Sequence, residues 1–398
     1  MMSEASALST PSPTPHPNPC LYPRNGNGNG TPEDKVRNFI TELLDSLIDD
    51  LTRADGCPSI TLKRRSNHAH FSLNSETRTL QCDTTEPSRT YSWPGKTIQE
   101  GWRFAILLRI LGHISEAIHG DFISSKRDIY YLDPVYFGSQ SVVDRCIDDI
   151  ACTIGVDRTA LHVAAAGKGL VAGSFNITLN DDSIGMLIPR VETIRKIDIS
   201  AVRWILVIEK EATFHRLATV NYHKTSAAGP GVLITGKGYP DLCTRAFLKL
   251  FDPTQSPPST SEALPSPKPP IYMLVDSDPD GMAIMSTYKY GSRAQAHENI
   301  NLTAHSIQWL GLQASEVVSS RLDMHRQDDD DDVLIPLTLR DRKKAQDMLA
   351  RSPVFAEDGP EPAWRGELQH MLMSNVKAEI EVLYEREGGI ERWLDRKL

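Results

Sequence analysis

The stretch Ile271-Tyr272-Met273-Leu274-Val275 runs directly into Asp276-Ser277-Asp278-Pro279-Asp280-Gly281. Such a short apolar run is typical of a strand that is buried on both faces of a parallel sheet. Because side chains alternate along an extended segment, Asp276 and Asp278 are predicted to project to the same side. The stretch therefore predicts an α/β sheet with acidic side chains at one edge.

Two earlier segments repeat this pattern of a strand followed by polar residues. The run Ile205-Leu206-Val207-Ile208 delivers Glu209, and Val232-Leu233-Ile234-Thr235 leads into the loop Gly236-Lys237-Gly238. Helical sequence lies between the strands, and this alternation predicts an α/β layer fold. We expect Glu209 to meet the aspartates at the carboxyl edge of the sheet, the usual ligand position of open α/β folds.

Three carboxylates without a cation repel one another, so either their pKa values rise or a metal neutralises them. Oxygen ligands favour Mg²⁺, with Mn²⁺ also possible, over zinc. A lone Asp-x-Asp is usually a loop or a cap, but a strand-Glu with a strand-Asp-x-Asp-Pro-x-Gly is more specific. This combination resembles a Toprim domain, the metal-binding fold of topoisomerases and primases, and it makes Glu209, Asp276 and Asp278 candidate metal ligands. Asp280 is a possible auxiliary.

A second candidate site is the segment Lys126-Arg127-Asp128-Ile129-Tyr130-Tyr131. Tyrosine pairs usually serve packing. A tyrosine hydroxyl, with a pKa near ~10, is a poor nucleophile until cations stabilise its phenolate. We expect a hydrogen bond between Arg127 and Tyr131, in a loop that Asp133 (N-cap) and Pro134 (first helical residue) hold against the next helix.

Elements around the tyrosines predict a helical module. An amphipathic helix begins at Thr31-Pro32, and a β-hairpin is expected between Ile60 and Asp83 with its turn at Asn74-Ser75. A capping box of Thr97 and Glu100 opens an apolar helix that should end near Gly120. A further helix ends at Gly155. Three helices followed by a strand indicate a winged-helix module.

The tyrosine segment resembles the active-site segment of the meiotic break-forming transesterases, relatives of the A subunit of DNA topoisomerase VI. Three more matches follow in family order, and together they cover roughly residues 95 to 345. These are Gly167-Lys168-Gly169-Leu170, Val207-Ile208-Glu209-Lys210 and Val275-Asp276-Ser277-Asp278-Pro279. The Pro-rich insert after Asp252 and the acidic run Asp328 to Asp332 depart from the family pattern.

The resemblance implies that Tyr131 attacks a DNA phosphodiester, so that the 5′ phosphate becomes attached to tyrosine and a 3′ hydroxyl leaves. Arg127 would assist, Tyr130 would be auxiliary, and Glu209, Asp276 and Asp278 would hold the metal. The expected DNA-binding residues are Lys168, Lys237 and Arg245. Two alternatives stay open: a topoisomerase VI A chain that reseals the break with an ATPase B chain, and a catalytically silent DNA-bridging scaffold.

The resemblance also implies partners. These are double-stranded DNA, a homodimer or pseudo-dimer on DNA, other proteins of the meiotic break machinery, and a transducer-like subunit that binds the amphipathic helix. That helix could instead dock on its own domain. The shared-site arrangement of the family would place Tyr131 of one protomer against the acids of the other.

Composition sets the broad class. The chain has 398 residues, a formal charge of −9 and six scattered cysteines without a C-x-x-C pair, which argues against a zinc site and a disulfide framework. No apolar run is long enough to span a membrane. The cysteine pattern therefore indicates a reducing compartment. The family resemblance implies that the protein is in the nucleus, associated with chromosomes. The acidic charge disfavours DNA binding overall, but local clusters of cations decide it.

The predicted organisation is α/β plus α+β. We expect a disordered tail over residues 1–32, a partner-binding helix over 33–58, a winged-helix (CAP-like) domain with the tyrosine over 59–172, and a Toprim domain with a parallel sheet and C-terminal helices over 173–398.

Overall fold

The computed structural model describes residues 30–65, 70–83, 87–164, 167–179, 187–253, 268–316 and 335–398. Nearly all of the predicted tail, most of the Pro-rich insert and the acidic run Asp328 to Asp332 lie outside the described residues. None of the described helices is long and apolar enough to cross a membrane.

The N-terminal part begins with a long amphipathic helix, as predicted. Thr31 and Asp34 form a capping box at its start, and Pro32 occupies the first turn. Two small antiparallel sheets follow, and then a long helix. In chain order the elements are α1 (Pro32–Thr52), β1 (Ser59–Lys63), β2 (Phe71–Leu73), β3 (Leu80–Cys82), β4 (Ser88–Ser92) and α2 (Ile98–Gly120).

Short helices then lead to a third long helix and back to strands. The next elements are β5 (Ser124–Ser125), α3 (Lys126–Leu132), α4 (Pro134–Phe137), α5 (Gln140–Ile154) and β6 (Val163–Ala164). Helices α1, α2 and α5 share one apolar core with β1 and α3. The core side of α2 includes Phe104, Leu107, Ile110, Leu111 and Ile114. We refer to these elements together, from α1 to β6, as the first unit.

The second unit is built on a five-stranded sheet. Its elements are β7 (Leu170–Gly173), β8 (Asn176–Leu179), β9 (Ile194–Asp198), β10 (Trp204–Ile208), α6 (Glu211–Thr219), α7 (Tyr222–Thr225), β11 (Gly231–Thr235), α8 (Leu242–Lys249), β12 (Ile271–Leu274), α9 (Pro279–Tyr290), β13 (Gln308–Gly311), β14 (Ile335–Pro336), α10 (Leu339–Arg351), α11 (Pro362–Ser374), β15 (Val376–Lys377) and α12 (Gly389–Lys397). The strand order is β13-β12-β10-β11-β7.

The predicted parallel sheet is confirmed. Strands β10, β11, β12 and β13 run parallel, and Ile208 is in register with both Thr235 and Leu274, so these three strands end at one edge. Only β7 is antiparallel in this sheet. Because β7 begins at Leu170, the predicted domain boundary at residue 172/173 falls within a strand of the second unit.

Both faces of the sheet are covered, which explains its unbroken apolar strands. Along β10, Ile205 and Val207 face a core that includes residues of α8, α9, α10 and α11. Leu206 and Ile208 face the opposite core, which includes residues of α6, α7, α12 and the 3₁₀ turn Ile380–Leu383. The sheet is therefore the middle layer of three.

Three local predictions need correction. The hairpin predicted from Ile60 to Asp83 consists only of β2 and β3, because β1 pairs with β4 instead. Thr97 caps α2, but the Glu100 carboxylate accepts from the backbone N–H groups of Ser92 and Lys96, so the reciprocal half of the capping box is missing. The tyrosines lie on a short helix, α3, and not in a loop.

Candidate active site

Helix α3 presents the candidate nucleophile on its exposed side. Ser125 and Asp128 form a capping box at its start. Ile129 is buried in the first core, Tyr130 is partly buried against that core, and Tyr131 is 58% exposed. Tyr130 therefore packs against the core, whereas Tyr131 is accessible at the surface.

The predicted contact between Arg127 and Tyr131 is confirmed. Arg127 Nη2 donates to Tyr131 Oη at 3.2 Å, and its guanidinium carbon lies 5.5 Å from the centroid of the tyrosine ring. The two residues are four positions apart, so one helical turn brings their side chains together. The hydrogen bond to Tyr131 raises the pKa of Arg127, so the phenol oxygen faces a permanent cation.

The turn after α3 is fixed as predicted. The Asp133 side chain accepts from the Tyr136 backbone N–H at 3.0 Å, and Pro134 is the first residue of α4. Trp102 Nε1 donates to the Tyr136 carbonyl at 2.9 Å, which ties α4 to α2. The start of α3 and the start of the following helix α4 are therefore each held by a capping bond.

The acidic residues converge at the carboxyl edge of the sheet. Glu209 follows β10, and its Oε2 accepts from the Asp276 backbone N–H at 3.0 Å. Asp278 caps α9 by accepting from the Gly281 N–H at 2.7 Å. A Cβ at Gly281 would lie 2.4 Å from the Asp276 carbonyl oxygen and 3.1 Å from Glu209 Oε2, so glycine permits this close approach.

Burial and mutual repulsion change the acidity of this cluster. Burial, together with the charges of Asp276 and Asp278, raises the pKa of Glu209 to about 8. Burial raises the pKa of Asp276 to about 6, although Lys210 lowers it, and burial also raises the pKa of Asp278. Burial chiefly, and mutual repulsion second, therefore disfavour the ionised forms of these carboxylates, and a bound cation would oppose both effects.

Sequence reasoning missed the groups that close this site. Lys210 Nζ lies 3.3 Å from Asp276 Oδ2, 3.0 Å from Glu379 and 2.6 Å from Glu381. The Ile380 backbone N–H donates to Asp276 Oδ1 at 2.8 Å. Lys210 follows Glu209 directly, but the glutamates that it contacts lie 169 and 171 positions further on, and local sequence carries no signal of that contact.

The cluster offers carboxylate oxygens, the ligand type that Mg²⁺ and Mn²⁺ prefer. Glu209 and Asp278 each use one carboxylate oxygen in the backbone bonds above, which leaves the second oxygen of each for a metal, whereas Asp276 is engaged by Lys210 and Ile380. In the described part of the chain, no three His, Cys, Asp or Glu side chains form a ready-made metal cage. Both oxygens of the Asp276 carboxylate therefore already have a partner in this structure.

The remaining predicted residues differ in their placement. Lys168 is exposed, and its Nζ donates to the Lys237 carbonyl at 3.1 Å. Lys237 forms an ion pair with Glu211 at 2.9 Å. Asp280 forms an ion pair with Lys344, a contact that the sequence did not reveal.

The prediction that Arg245 contacts DNA is wrong. Arg245 is only 1% exposed, and its guanidinium donates to the Leu302 carbonyl at 3.1 Å and to Asn299 Oδ1 at 3.2 Å. It lies on α8, in which every residue from Cys243 to Lys249 is buried, and burial lowers its pKa to about 10. A polar side chain in an amphipathic helix was expected at the surface, but tertiary packing enclosed it.

The tyrosine and the acids are not joined within one chain. Among the described residues, no hydrogen bond or ion pair connects Tyr131 with Glu209, Asp276 or Asp278. Tyr131 contacts Arg127 and the ring of Tyr130, whose centroid lies 5.4 Å away. Tyr131 and the acids therefore belong to two groups of bonded residues, one in each unit, which we call the two half-sites.

Comparison with known proteins connects both half-sites to one family. The family model for the Toprim domain of Spo11 and the topoisomerase 6 A subunit matches residues 204–398, and the model of type IIB DNA topoisomerase matches residues 102–163. The chain is 32% identical over 371 residues to the meiotic recombination protein SPO11 of Homo sapiens, which covers 91% of this chain and 86% of that protein.

Two further relatives show the breadth of the similarity. The meiotic recombination protein rec12 of Schizosaccharomyces pombe is 32% identical over 372 residues, covering 91% of this chain and 94% of that protein. The A subunit of DNA topoisomerase 6 from Arabidopsis thaliana is 31% identical over 299 residues, covering 73% and 64%. The chain belongs to the family of Spo11 and the topoisomerase VI A subunit.

Proposed function

We propose that this protein is a metal-dependent DNA transesterase that forms meiotic double-strand breaks through a 5′-phosphotyrosyl intermediate and so initiates homologous recombination. The observation that carries this proposal is the exposed Tyr131 with Arg127 Nη2 at 3.2 Å from its hydroxyl. Membership of a family that contains meiotic recombination proteins and part of a type IIB topoisomerase supports it.

The reaction exchanges one phosphoester for another. Tyr131 Oη attacks a backbone phosphorus, its proton passes to solvent, the bond from phosphorus to the 3′ oxygen breaks, and that oxygen leaves as a hydroxyl after protonation. Arg127 stabilises the phenolate and, with its planar guanidinium, can also contact a phosphate oxygen. One ester bond is formed and one is broken, so no ATP is consumed.

The acidic half-site would hold Mg²⁺, with Mn²⁺ as the other candidate, through Glu209, Asp276 and Asp278. A bound cation would supply positive charge to the phosphate oxygens and to the leaving oxygen. The raised pKa of Glu209 supports this assignment, because the cluster lacks enough positive charge of its own. Asp280 is held by Lys344, and we assign it no ligand role.

DNA would lie across both units. We assign Lys168 to a phosphate contact because it is exposed and projects from the loop that leads into β7. Lys237 can contribute only if it leaves Glu211. The helices of the first unit, in the winged-helix arrangement inferred from the sequence, would place α3 against the duplex.

The working assembly would be a dimer or pseudo-dimer in the nucleus, associated with chromosomes and with other proteins of the break machinery. Separate half-sites in one chain favour the pairing of Tyr131 from one protomer with the acids of the other. Helix α1 buries Val36, Ile40 and Leu47 in its own unit, yet it exposes Leu44 and Ile48. We assign this outer stripe, which continues to Leu51, to a transducer-like partner protein.

A resealing topoisomerase is the second candidate, and the similarity to the A subunit of DNA topoisomerase 6 favours it. Both activities share the covalent intermediate and differ in whether the ends stay attached to protein. A silent DNA-bridging scaffold would form no such intermediate.

Immunoprecipitation of the protein from meiotic cells, followed by end-labelling of attached DNA, tests the proposal. We expect to recover oligonucleotides that stay attached to the protein in detergent and are released when the tyrosyl phosphodiester is hydrolysed. Short oligonucleotides would show that the ends stay attached, whereas resealing would leave only transient adducts. A complete absence of adducts in cells that form breaks would contradict the proposal and favour the role of a DNA-bridging scaffold.

A further inference from the structure

A buried network of charged residues surrounds Asp148 on α5. Lys126 Nζ contacts Asp148 Oδ1, Arg65 Nη2 lies 3.1 Å from Asp148 Oδ2, and Arg158 Nε lies 2.7 Å from Asp148 Oδ1. Asp148 is 7% exposed and Arg158 is also 7% exposed. One carboxylate therefore meets three cations from three different segments of the first unit.

The network begins at the helix that carries the tyrosine. Lys126 is the first residue of α3 and is separated from Arg127 by one peptide bond. Its Nζ also donates to the Asp144 carbonyl at 3.4 Å, so both contacts lie on α5. Ile129 is the only fully buried residue of α3, and the tyrosine end of the helix is exposed. The Lys126 contact is therefore a main anchor of this seven-residue helix.

The same network reaches into the second unit. Arg158 Nε lies 3.6 Å from Glu298 Oε1, and Glu298 is 3% exposed. Arg65 Nε lies 3.3 Å from Asp149 Oδ1, while its Nη1 donates to the Ala294 carbonyl at 2.7 Å. Glu298 and Ala294 both belong to the segment that follows α9. A path of contacts thus runs from α3 through Asp148 to the second unit, which it reaches by the 3.6 Å ion pair of Arg158 with Glu298, without a hydrogen bond, and by the hydrogen bond of Arg65 to the Ala294 carbonyl.

The network contains charges of both signs, and the Asp144 carboxylate and His297 lie beside it. Three cations (Lys126, Arg65 and Arg158) face three carboxylates (Asp148, Asp149 and Glu298). A buried ion that loses its partner remains desolvated and uncompensated, so the surrounding groups must rearrange. Removing the charge of Asp148 would leave one buried and two partly buried cations around a neutral side chain, and removing that of Glu298 would disturb Arg158 and then Asp148.

We propose that Asp148 is a positioning residue that fixes the Tyr131 helix to the second unit of its own chain. It contacts neither the tyrosine nor the acids, and it acts through Lys126 on one side and through Arg158 on the other. The catalytic part of this inference rests on the proposed function. In a dimer with shared sites, the network would set how far Tyr131 reaches towards the partner's acids, because that reach depends on the angle between the two units.

Hydrogen–deuterium exchange, read from milliseconds to minutes, tests the coupling without any activity. The variants are Asp148→Asn and Glu298→Gln in the full chain, and Asp395→Asn is the control. Asp395 accepts from Tyr222 Oη at 2.7 Å and from Ser226 Oγ at 3.0 Å, so the control removes another partly buried carboxylate on the other side of the sheet.

We expect faster exchange over residues 126–132, by about 3-fold or more, in both variants and not in the control. The Glu298→Gln result is decisive, because among the described residues Glu298 makes no hydrogen bond or ion pair with α3. If Asp148→Asn does not fold, the exchange rates over residues 126–132 in Glu298→Gln and Lys126→Met test the proposal instead. Unchanged exchange over residues 126–132 in Glu298→Gln would overturn the proposal.

Covalent capture of DNA supplies the second readout. Misplacing the nucleophile should lower the rate of tyrosyl–DNA formation by about 10- to 100-fold, while the Kd for duplex DNA stays within about twofold of wild type. Equal losses in capture and DNA affinity would indicate a purely structural role and contradict the proposal. A wild-type protein that forms no adduct would refute the proposed function, and the exchange result would still decide the coupling.

Discussion

Tyr130 and Tyr131 are chemically identical, and their surroundings alone distinguish them. Tyr131 is exposed and bonded to Arg127, whereas Tyr130 packs against the first core. We predict that Tyr131→Phe lowers covalent DNA capture by at least about 100-fold with unchanged DNA affinity, because it removes the attacking oxygen and keeps the ring. Tyr130→Phe should retain activity. The opposite behaviour of the two variants would show that the nucleophile is Tyr130.

Glu209 gives a pH-dependent prediction. Its pKa is raised from 4.5 to about 8, so its contribution to folding stability is complete below pH 4.5 and is lost as the pH rises through about 8. Glu209→Gln is uncharged throughout and escapes this loss. In EDTA, the variant should therefore become more stable than wild type between about pH 5 and 9, by on the order of a few kcal/mol, since one pKa unit is worth about 1.4 kcal/mol.

Chemical denaturation at several pH values measures this difference. If the unfolding free energies of wild type and Glu209→Gln change with pH in parallel, the raised pKa of Glu209 is contradicted. The same variant should abolish cleavage, because an amide keeps the size of the side chain but removes its charge. Asp276→Asn should likewise weaken metal binding and cleavage, and a metal titration unchanged by Asp276→Asn would count against its role as a ligand.

Lys168 is the exposed cation that we assign to a phosphate. Lys168→Ala should weaken duplex binding and lower the magnitude of the slope of log K against log salt by about 1. Lys224→Ala is a suitable control, because this exposed lysine lies on α7, near the amino end of β11. Binding titrations at several salt concentrations measure the slope. An unchanged slope would leave Lys168 as an ordinary loop cation.

At the level of elements, the site depends on how closely α9 approaches the segment that follows β12. Gly281→Ala adds a methyl group 2.4 Å from the Asp276 carbonyl oxygen, which must push the helix away from the strand. We predict a loss of about 1–3 kcal/mol in unfolding free energy, together with loss of cleavage. Gly366→Ala is the matched control, because a Cβ at this helix position would have no heavy atom within 4 Å.

The control should behave in the opposite way. Alanine at position 366 should raise the unfolding free energy by about 0.5–1 kcal/mol, through the lower helix propensity of glycine, and leave cleavage intact. Thermal melts and DNA cleavage assays on both variants provide the measurement. A Gly281→Ala protein with wild-type stability and cleavage would show that α9 has room to move.

At the level of the whole molecule, the proposed pairing of Tyr131 from one protomer with the acids of the other can be tested directly. Consider heterodimers in which one protomer carries Tyr131→Phe and the other carries Glu209→Gln. If the sites are shared, one site is intact and the other is doubly defective, so we predict a single-strand nick with one tyrosine-linked end. If each site lies within one chain, both sites are defective, and a verified heterodimer on DNA should leave both strands uncut.

Much of the second unit was determined by local sequence. The apolar strands Ile205–Ile208 and Ile271–Leu274 could be recognised because a strand buried on both faces needs an unbroken apolar run. Their carboxyl ends then placed Glu209 and Asp276 at one edge. The bond from Arg127 to Tyr131 was expected from the chemistry of a guanidinium beside a phenol, but the sequence placed it in a loop, whereas the structure forms it across one turn of α3.

Tertiary structure alone decided the rest. Lys210 meets Glu381 from 171 positions away, and Arg65 donates to the Ala294 carbonyl from 229 positions away. Arg245 has the same charge and flexibility as a surface arginine, and only the packing of α8 encloses it. Local patterns report which side chains a strand or a helix turn brings together, whereas burial and long-range ion pairs depend on which elements pack against each other.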